Sequence, residues 1–126
     1  MGNMKPRVLL VDDEPNIIKM VGKRLEVEGF EVLTAVDGQE ALEQTTAQNP
    51  DLIILDLMLP NLNGYEVCTK LKQDERYQHI PIVIFSGKGQ EGDVQHGYEC
   101  GADAYVTKGD GKAVLMQKVK ELLNRR

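Results

Sequence analysis

Apolar residues fall into short unbroken runs separated by stretches where they recur every three or four positions. The runs are Val8-Leu9-Leu10-Val11, Leu52-Ile53-Ile54-Leu55, Ile82-Val83-Ile84-Phe85 and the weaker Ala104-Tyr105-Val106. Continuous runs this short, rich in β-branched residues, suit parallel strands covered on both faces. Glu31-Val32-Leu33-Thr34-Ala35-Val36 is less uniformly apolar and fits an edge strand. Helical periodicity fills the gaps. Pro15 suits a first helical turn, with Ile17, Val21 and Leu25 behind it and Gly29 as the C-cap. Asp37-Gly38 opens a second helix, which Asn49-Pro50 ends. Gly64 precedes a third, with Val67, Cys68 and Leu71 on one side. A poor fourth segment runs from about Gln90 to Cys100, interrupted by Gly92 and Gly97. The last helix carries Leu115, Val119, Leu122 and Leu123.

Strand and helix alternate five times. This predicts an α/β fold, a flavodoxin-like doubly wound (βα)5 three-layer sandwich with a parallel sheet in the order 2-1-3-4-5. In such sheets the site lies beyond the carboxyl ends of the strands, where strands 1 and 3 diverge. A chain of 126 residues holds one core, here expected over 7–125 behind a tail at 1–6.

Composition narrows the function. There are 15 basic and 20 acidic residues, a net charge of −5. That balance argues against direct nucleic-acid binding. No apolar run is long enough for a bilayer, so no membrane insertion is expected, and no signal peptide is evident. Cys68 and Cys100 have neither CxxC nor metal-ligand spacing. Both are read as thiols on helix faces in a reducing compartment, with a disulfide as the alternative.

The chemistry lies at the carboxyl ends of the strands. Asp12 and Asp13 come directly after the first, Asp56 after the third, Ser86 after the fourth, and Thr107 and Lys108 after the fifth. Each has a plain explanation alone. Asp12-Asp13-Glu14-Pro15 can be an acidic helix cap, Ser86-Gly87 a turn, and Lys108 a solvated charge. Asp56 resists one, because the next helix starts only near Gly64. Convergence at one end of the sheet is required by none of these readings. Two carboxylates about 4 Å apart repel by roughly 4 kcal/mol at an effective dielectric near 20. A hard divalent cation relieves that repulsion, and oxygen donors with retained waters suit magnesium working with phosphate.

Val11-Asp12-Asp13-Glu14-Pro15, Asp56-Leu57-Met58-Leu59-Pro60, Phe85-Ser86-Gly87 and Gly101-Ala102-Asp103-Ala104-Tyr105-Val106-Thr107-Lys108 together resemble the receiver domain of bacterial two-component response regulators, stand-alone CheY-like members included. The resemblance covers Val8 to Leu123. It implies Asp56 as phosphoacceptor and magnesium held by Asp13, Asp56 and the backbone carbonyl of Met58, with Asp12 acting through a water. It implies that Lys108 pairs with phosphoryl oxygens, that Ser86 shifts to hydrogen-bond them, and that Tyr105 moves into the vacated space. The surface of the fourth helical segment, fifth strand and last helix would then change. Glycines at 87, 89, 92, 97 and 101 suggest that the fourth segment is the least protected helix, since each internal glycine costs about 1 kcal/mol. One departure stands out. The family lysine is usually followed by proline, often through a cis bond, whereas Gly109 follows Lys108. A cis bond before a non-proline residue costs about 2.5–4 kcal/mol, so a trans bond and a looser loop are expected.

The leading reading is a phosphorylation switch rather than an enzyme, one that assists its own phosphorylation and dephosphorylation. A sensor histidine kinase or phosphotransfer protein would feed it, and an unidentified downstream protein would read it. It would be cytoplasmic, and a monomer or weak dimer. Because no output domain follows the last helix, a stand-alone regulator is favoured over an excised receiver. The alternative is a phosphorylation-independent interaction module, kept open by Gly109. An aspartyl phosphatase would need a cap domain, and a flavin binder would meet acidic residues where a phosphate loop belongs.

Overall fold

The computed structural model describes residues 5–87 and 100–125. Five strands, β1 (Arg7–Val11), β2 (Glu31–Ala35), β3 (Leu52–Leu55), β4 (Ile82–Ser86) and β5 (Ala104–Thr107), form one sheet. All pairings are parallel and the order is β2-β1-β3-β4-β5, as the alternation predicts. Four α-helices lie among the described residues: α1 (Pro15–Val27), α2 (Gly38–Gln48), α3 (Gly64–Lys72) and α4 (Lys112–Asn124). The helical segment expected near Gln90 to Cys100, and its expected low protection, fall almost wholly outside the described residues.

The unbroken apolar runs are explained by two cores, one on each sheet face. Val8, Leu10, Leu52, Ile54, Val83 and Phe85 point to one side, against Val21 and Leu25 of α1 and Leu115, Met116 and Val119 of α4. Leu9, Val11, Ile53, Leu55, Ile82 and Ile84 point to the other, against Ala41 of α2 and Val67, Cys68 and Leu71 of α3. The edge strand β2 is the exception. Its exposed Glu31 and Thr34 match its mixed sequence.

Local chemistry ends the helices where the sequence indicates. After α1, Gly29 takes φ +96°, Gly29 N–H donates to the Glu26 carbonyl, and Phe30 N–H donates to that of Leu25. This paired closure needs a left-handed residue, which glycine supplies without a Cβ clash. Asn49 closes α2 at φ 49°, immediately before Pro50. The Asp37 side chain caps α2 by accepting from Glu40 N–H at 2.7 Å. The Asn63 side chain does the same for α3 through Glu66 N–H at 3.0 Å. One reading needs correction: Cys100 is not on a helix face but in a turn ahead of β5.

Candidate functional site

Strand register brings the site together. Val11 pairs with Leu55 across β1 and β3, so the next residues along, Asp12 and Asp56, emerge side by side. The last ladder contacts hold them there: Asp56 N–H donates to the Val11 carbonyl at 3.0 Å and Asp12 N–H to the Ala35 carbonyl at 3.1 Å. Neighbouring parallel strands lie about 4.8 Å apart, so like charges at their ends cannot avoid one another. Carboxylate oxygens of Asp12, Asp13 and Asp56 all lie within 4.8 Å of one another. Asp12 is 1% exposed and Asp56 3%, while Asp13 faces solvent.

Lys108 closes this cluster from β5. Its Nζ lies 2.8 Å from Glu14 Oε1, 3.0 Å from Asp12 Oδ2 and 3.2 Å from Asp56 Oδ2. Burial of Lys108 works against its charge, but the hydrogen bonds it donates to Glu14 and Asp12 and the field of Asp56 outweigh it, and the ammonium is held above the ordinary lysine value. Asp12 moves up from the usual carboxylate range. Loss of solvent is the main cause, opposed by the Glu14 N–H and Lys108 and reinforced by the Asp56 charge. One lysine therefore faces three carboxylates, two of them buried, with Asp13 beside them in the cluster.

Glu14 is a site residue that the sequence reading leaves inside a motif without a role. It stands at the N-cap of α1 but makes no side-chain cap, and its carboxylate is spent on Lys108 instead. The helix-cap reading of this acidic run therefore fails at Glu14. Asp12 makes a local backbone contact, accepting from Glu14 N–H at 2.9 Å. That turn leaves its other oxygen for Lys108.

The loop from Asp56 to α3 is shaped by contact with Gly64. A Cβ on Gly64 would lie 2.3 Å from the Asp56 carbonyl oxygen and 2.7 Å from Leu57 Cα. Gly64 N–H donates to the Leu57 carbonyl at 3.0 Å, fixing the loop beneath the carboxylate. Met58 N–H donates to Asp56 Oδ1 at 3.3 Å, and the Met58 side chain is exposed. Ser86 is fully buried as the last residue of β4 and pairs in register with Thr107 of β5. Tyr105 is half-buried against the α2–α3 side of the sheet.

The Gly109 departure is absorbed locally. Residues Lys108–Asp110 form a turn of 3-10 helix, and Thr107 N–H donates to Asp110 Oδ2 at 3.2 Å. No peptide bond among the described residues is cis, so the bond after Lys108 is trans as expected. This turn sets Lys108 among Glu14, Asp12 and Asp56.

Three comparisons bear on this geometry. The family model for the response regulator receiver domain matches residues 8–120. The chain is 42% identical over 97% of its length to the alkaline phosphatase synthesis transcriptional regulatory protein PhoP of Bacillus subtilis, covering 50% of that protein. It is 41% identical over 95% of its length to the DNA-binding dual master transcriptional regulator RpaA of Synechocystis, again covering 50%. The chain thus spans about half the length of these curated relatives. Among solved structures, the receiver domain of the Francisella response regulator 1452 superposes with a TM-score of 0.89 at 30% identity, covering 96% of this chain and 98% of that one. With the sheet order, the carboxylates at the strand ends and the matched model in agreement, the chain belongs to the response regulator receiver domain family of two-component signalling.

Proposed function

We propose that this receiver accepts a phosphoryl group on Asp56 from a phosphohistidine of a sensor histidine kinase or phosphotransfer protein, and that magnesium is required. One observation carries the reading: Asp56 is almost wholly buried at the end of β3, yet its carboxylate is bonded to Lys108 and clustered with two more carboxylates. A buried acidic cluster of this composition is unfavourable by itself, and an all-oxygen donor set fits a hard divalent ion. Asp13, Asp56 and the Met58 carbonyl would hold magnesium, with Asp12 acting through a water. When bound, the ion neutralises charge on the carboxylates and on the incoming phosphoryl oxygens.

The chain's own residues supply the rest. An Asp56 oxygen attacks phosphorus as the phosphorus–nitrogen bond breaks, leaving the electron pair on the donor imidazole. Lys108 exchanges its carboxylate contacts for phosphoryl oxygens and stabilises their charge. Ser86 turns to donate its hydroxyl to the phosphoryl group, and Tyr105 follows toward the sheet. The surface around β5 and α4 then changes, and a downstream protein reads it. A cytoplasmic location accords with a histidine kinase as donor. Among the described residues no helix is long and apolar enough to cross a membrane. The phosphorylation-independent alternative rested on Gly109, and no observation now favours it, because Lys108 reaches Asp56 regardless.

The chemical identity of the product tests this reading. After treatment with a phosphoramidate donor and magnesium, borohydride should convert the acyl phosphate to homoserine in the peptide containing position 56. Conversion at any other residue, or a phosphorylated product stable to hydroxylamine, would overturn it.

A further inference from the structure

Cys68 and Cys100 are separated by 32 positions, yet they meet at the opposite end of the strands from Asp56. The Cys68 thiol lies on the inner face of α3, fully buried, with its sulfur 3.5 Å from the Cys100 carbonyl oxygen. The Cys68 sulfhydryl therefore rests directly against the Cys100 residue. Cys100 sits in the turn before β5 and is only partly covered. The neighbourhood is anchored: Lys72, one turn beyond Cys68, pairs with Asp103 at 2.9 Å and donates to the Ile80 carbonyl at 2.8 Å. Its stem packs on Gly101, where an added Cβ would lie 2.9 Å from Lys72 Cγ. The contact between α3 and the turn carrying Cys100 is therefore anchored beside the cysteines by Lys72.

We propose that Cys68 and Cys100 form a redox modification site, a pair of neighbouring thiols that a peroxide converts to an intramolecular disulfide tying α3 to the turn before β5. The two sulfurs have distinct parts. The Cys68 thiol within reach of Cys100 is the main influence drawing Cys100 down from the usual thiol value, to about 7. Cys68 is pushed up by the same contact and by burial. Cys100, the more exposed and more readily ionised, is the attacking thiolate, and Cys68 resolves.

In the first step the Cys100 sulfur attacks one oxygen of hydrogen peroxide. The oxygen–oxygen bond breaks, hydroxide leaves and takes the proton released by the thiol, and Cys100 becomes a sulfenic acid. In the second, the Cys68 sulfur attacks the Cys100 sulfur. The sulfur–sulfur bond forms, the sulfur–oxygen bond breaks, and the departing hydroxide takes the Cys68 proton as water. One peroxide is reduced to two waters and two thiols are oxidised to one disulfide. A thiol reductant reverses it, as suits a reducing compartment where disulfides are transient and sensory. Phosphorylation of Asp56 plays no part in this chemistry.

The test uses the intact wild-type chain, treated with one equivalent of hydrogen peroxide, denatured in N-ethylmaleimide and digested without reductant. The expected result is loss of both alkylatable thiols and a cross-linked peptide pair containing Cys68 and Cys100. The single chain should be two hydrogens lighter, and dithiothreitol should restore it. Cys68→Ser should instead leave a sulfenic acid at Cys100 that a dimedone reagent traps. Recovery of both cysteines with maleimide, a disulfide between two chains, or over-oxidised Cys100 beside an alkylated Cys68 would each overturn the proposal. Because the mapping is done on the wild-type chain, poor folding of a variant does not decide it.

Discussion

At Asp12 burial and charge pull in different directions, and the balance sets a pH dependence. Its carboxyl is raised above the value of 3.8 that it has in the unfolded chain, chiefly by loss of solvent. Between 3.8 and the raised value the native chain therefore binds more protons than the unfolded one. In the absence of metal, stability should fall as pH rises through that window. Magnesium needs the ionised carboxylate, so its affinity should rise over the same window. Calorimetric titration at a series of pH values should show this rise, and Asp12→Asn should flatten it. Lys108 carries the same sign in a much higher window. Its raised value means that its contribution to stability is present at neutral pH and is lost only as pH climbs through the folded value, above the ordinary 10.5. Lys108→Ala removes the ammonium facing the carboxylates, so magnesium binding should be retained or tightened. Phosphoryl acceptance should nevertheless fall by about 10²-fold or more, the usual loss when one donor to a developing charge is removed. Parallel losses of metal binding and transfer would mean that Lys108 only holds the site together.

At the scale of elements, the strands and most helix ends were legible because single residues announce them. The four-residue apolar runs, Pro15, Gly29, Asp37 and Asn49-Pro50 all act where the sequence places them. What escaped depends on partners distant in sequence. Nothing local shows that Gly64 packs against the Asp56 backbone, or that a Cβ on Gly38 would lie 1.8 Å from the Leu62 carbonyl oxygen. The Asn63 cap was hidden beside Gly64, which the sequence offered as the obvious start of α3. These contacts lead to a paired prediction. Gly64→Ala should destabilise the fold by about 1–3 kcal/mol, as overpacking does, and should weaken magnesium binding by displacing the Asp56 loop. Asp37→Ala should lose about 1 kcal/mol by uncapping α2 but leave magnesium affinity unchanged. Denaturant unfolding and metal titration on both variants check the contrast, and equal metal affinities would contradict it.

At the scale of the molecule, alternation of strand and helix fixed the sheet order, and the sheet order brought Asp12, Asp56 and Lys108 to one end. That is why so much of the site could be read before the fold was seen: a parallel sheet puts the residue after each strand at the same edge. Glu14 was less legible, because an acidic residue ahead of Pro15 looks like a cap until Lys108 is placed beside it. The turn at Gly109 was less legible, because the Thr107–Asp110 contact that shapes it has no sequence signature as strong as a missing proline. The surface that would carry the signal outward involves the segment between Gly87 and Cys100, which lies largely outside the described residues. The central claim, a magnesium-dependent phosphoacceptor at Asp56, is tested most directly by weighing the intact protein after incubation with a small phosphodonor, with and without magnesium, beside Asp56→Asn. The account predicts a gain of one phosphoryl mass that needs both the ion and Asp56. An equal gain in the Asp56→Asn chain, or no gain in a wild-type chain that binds magnesium, would contradict it.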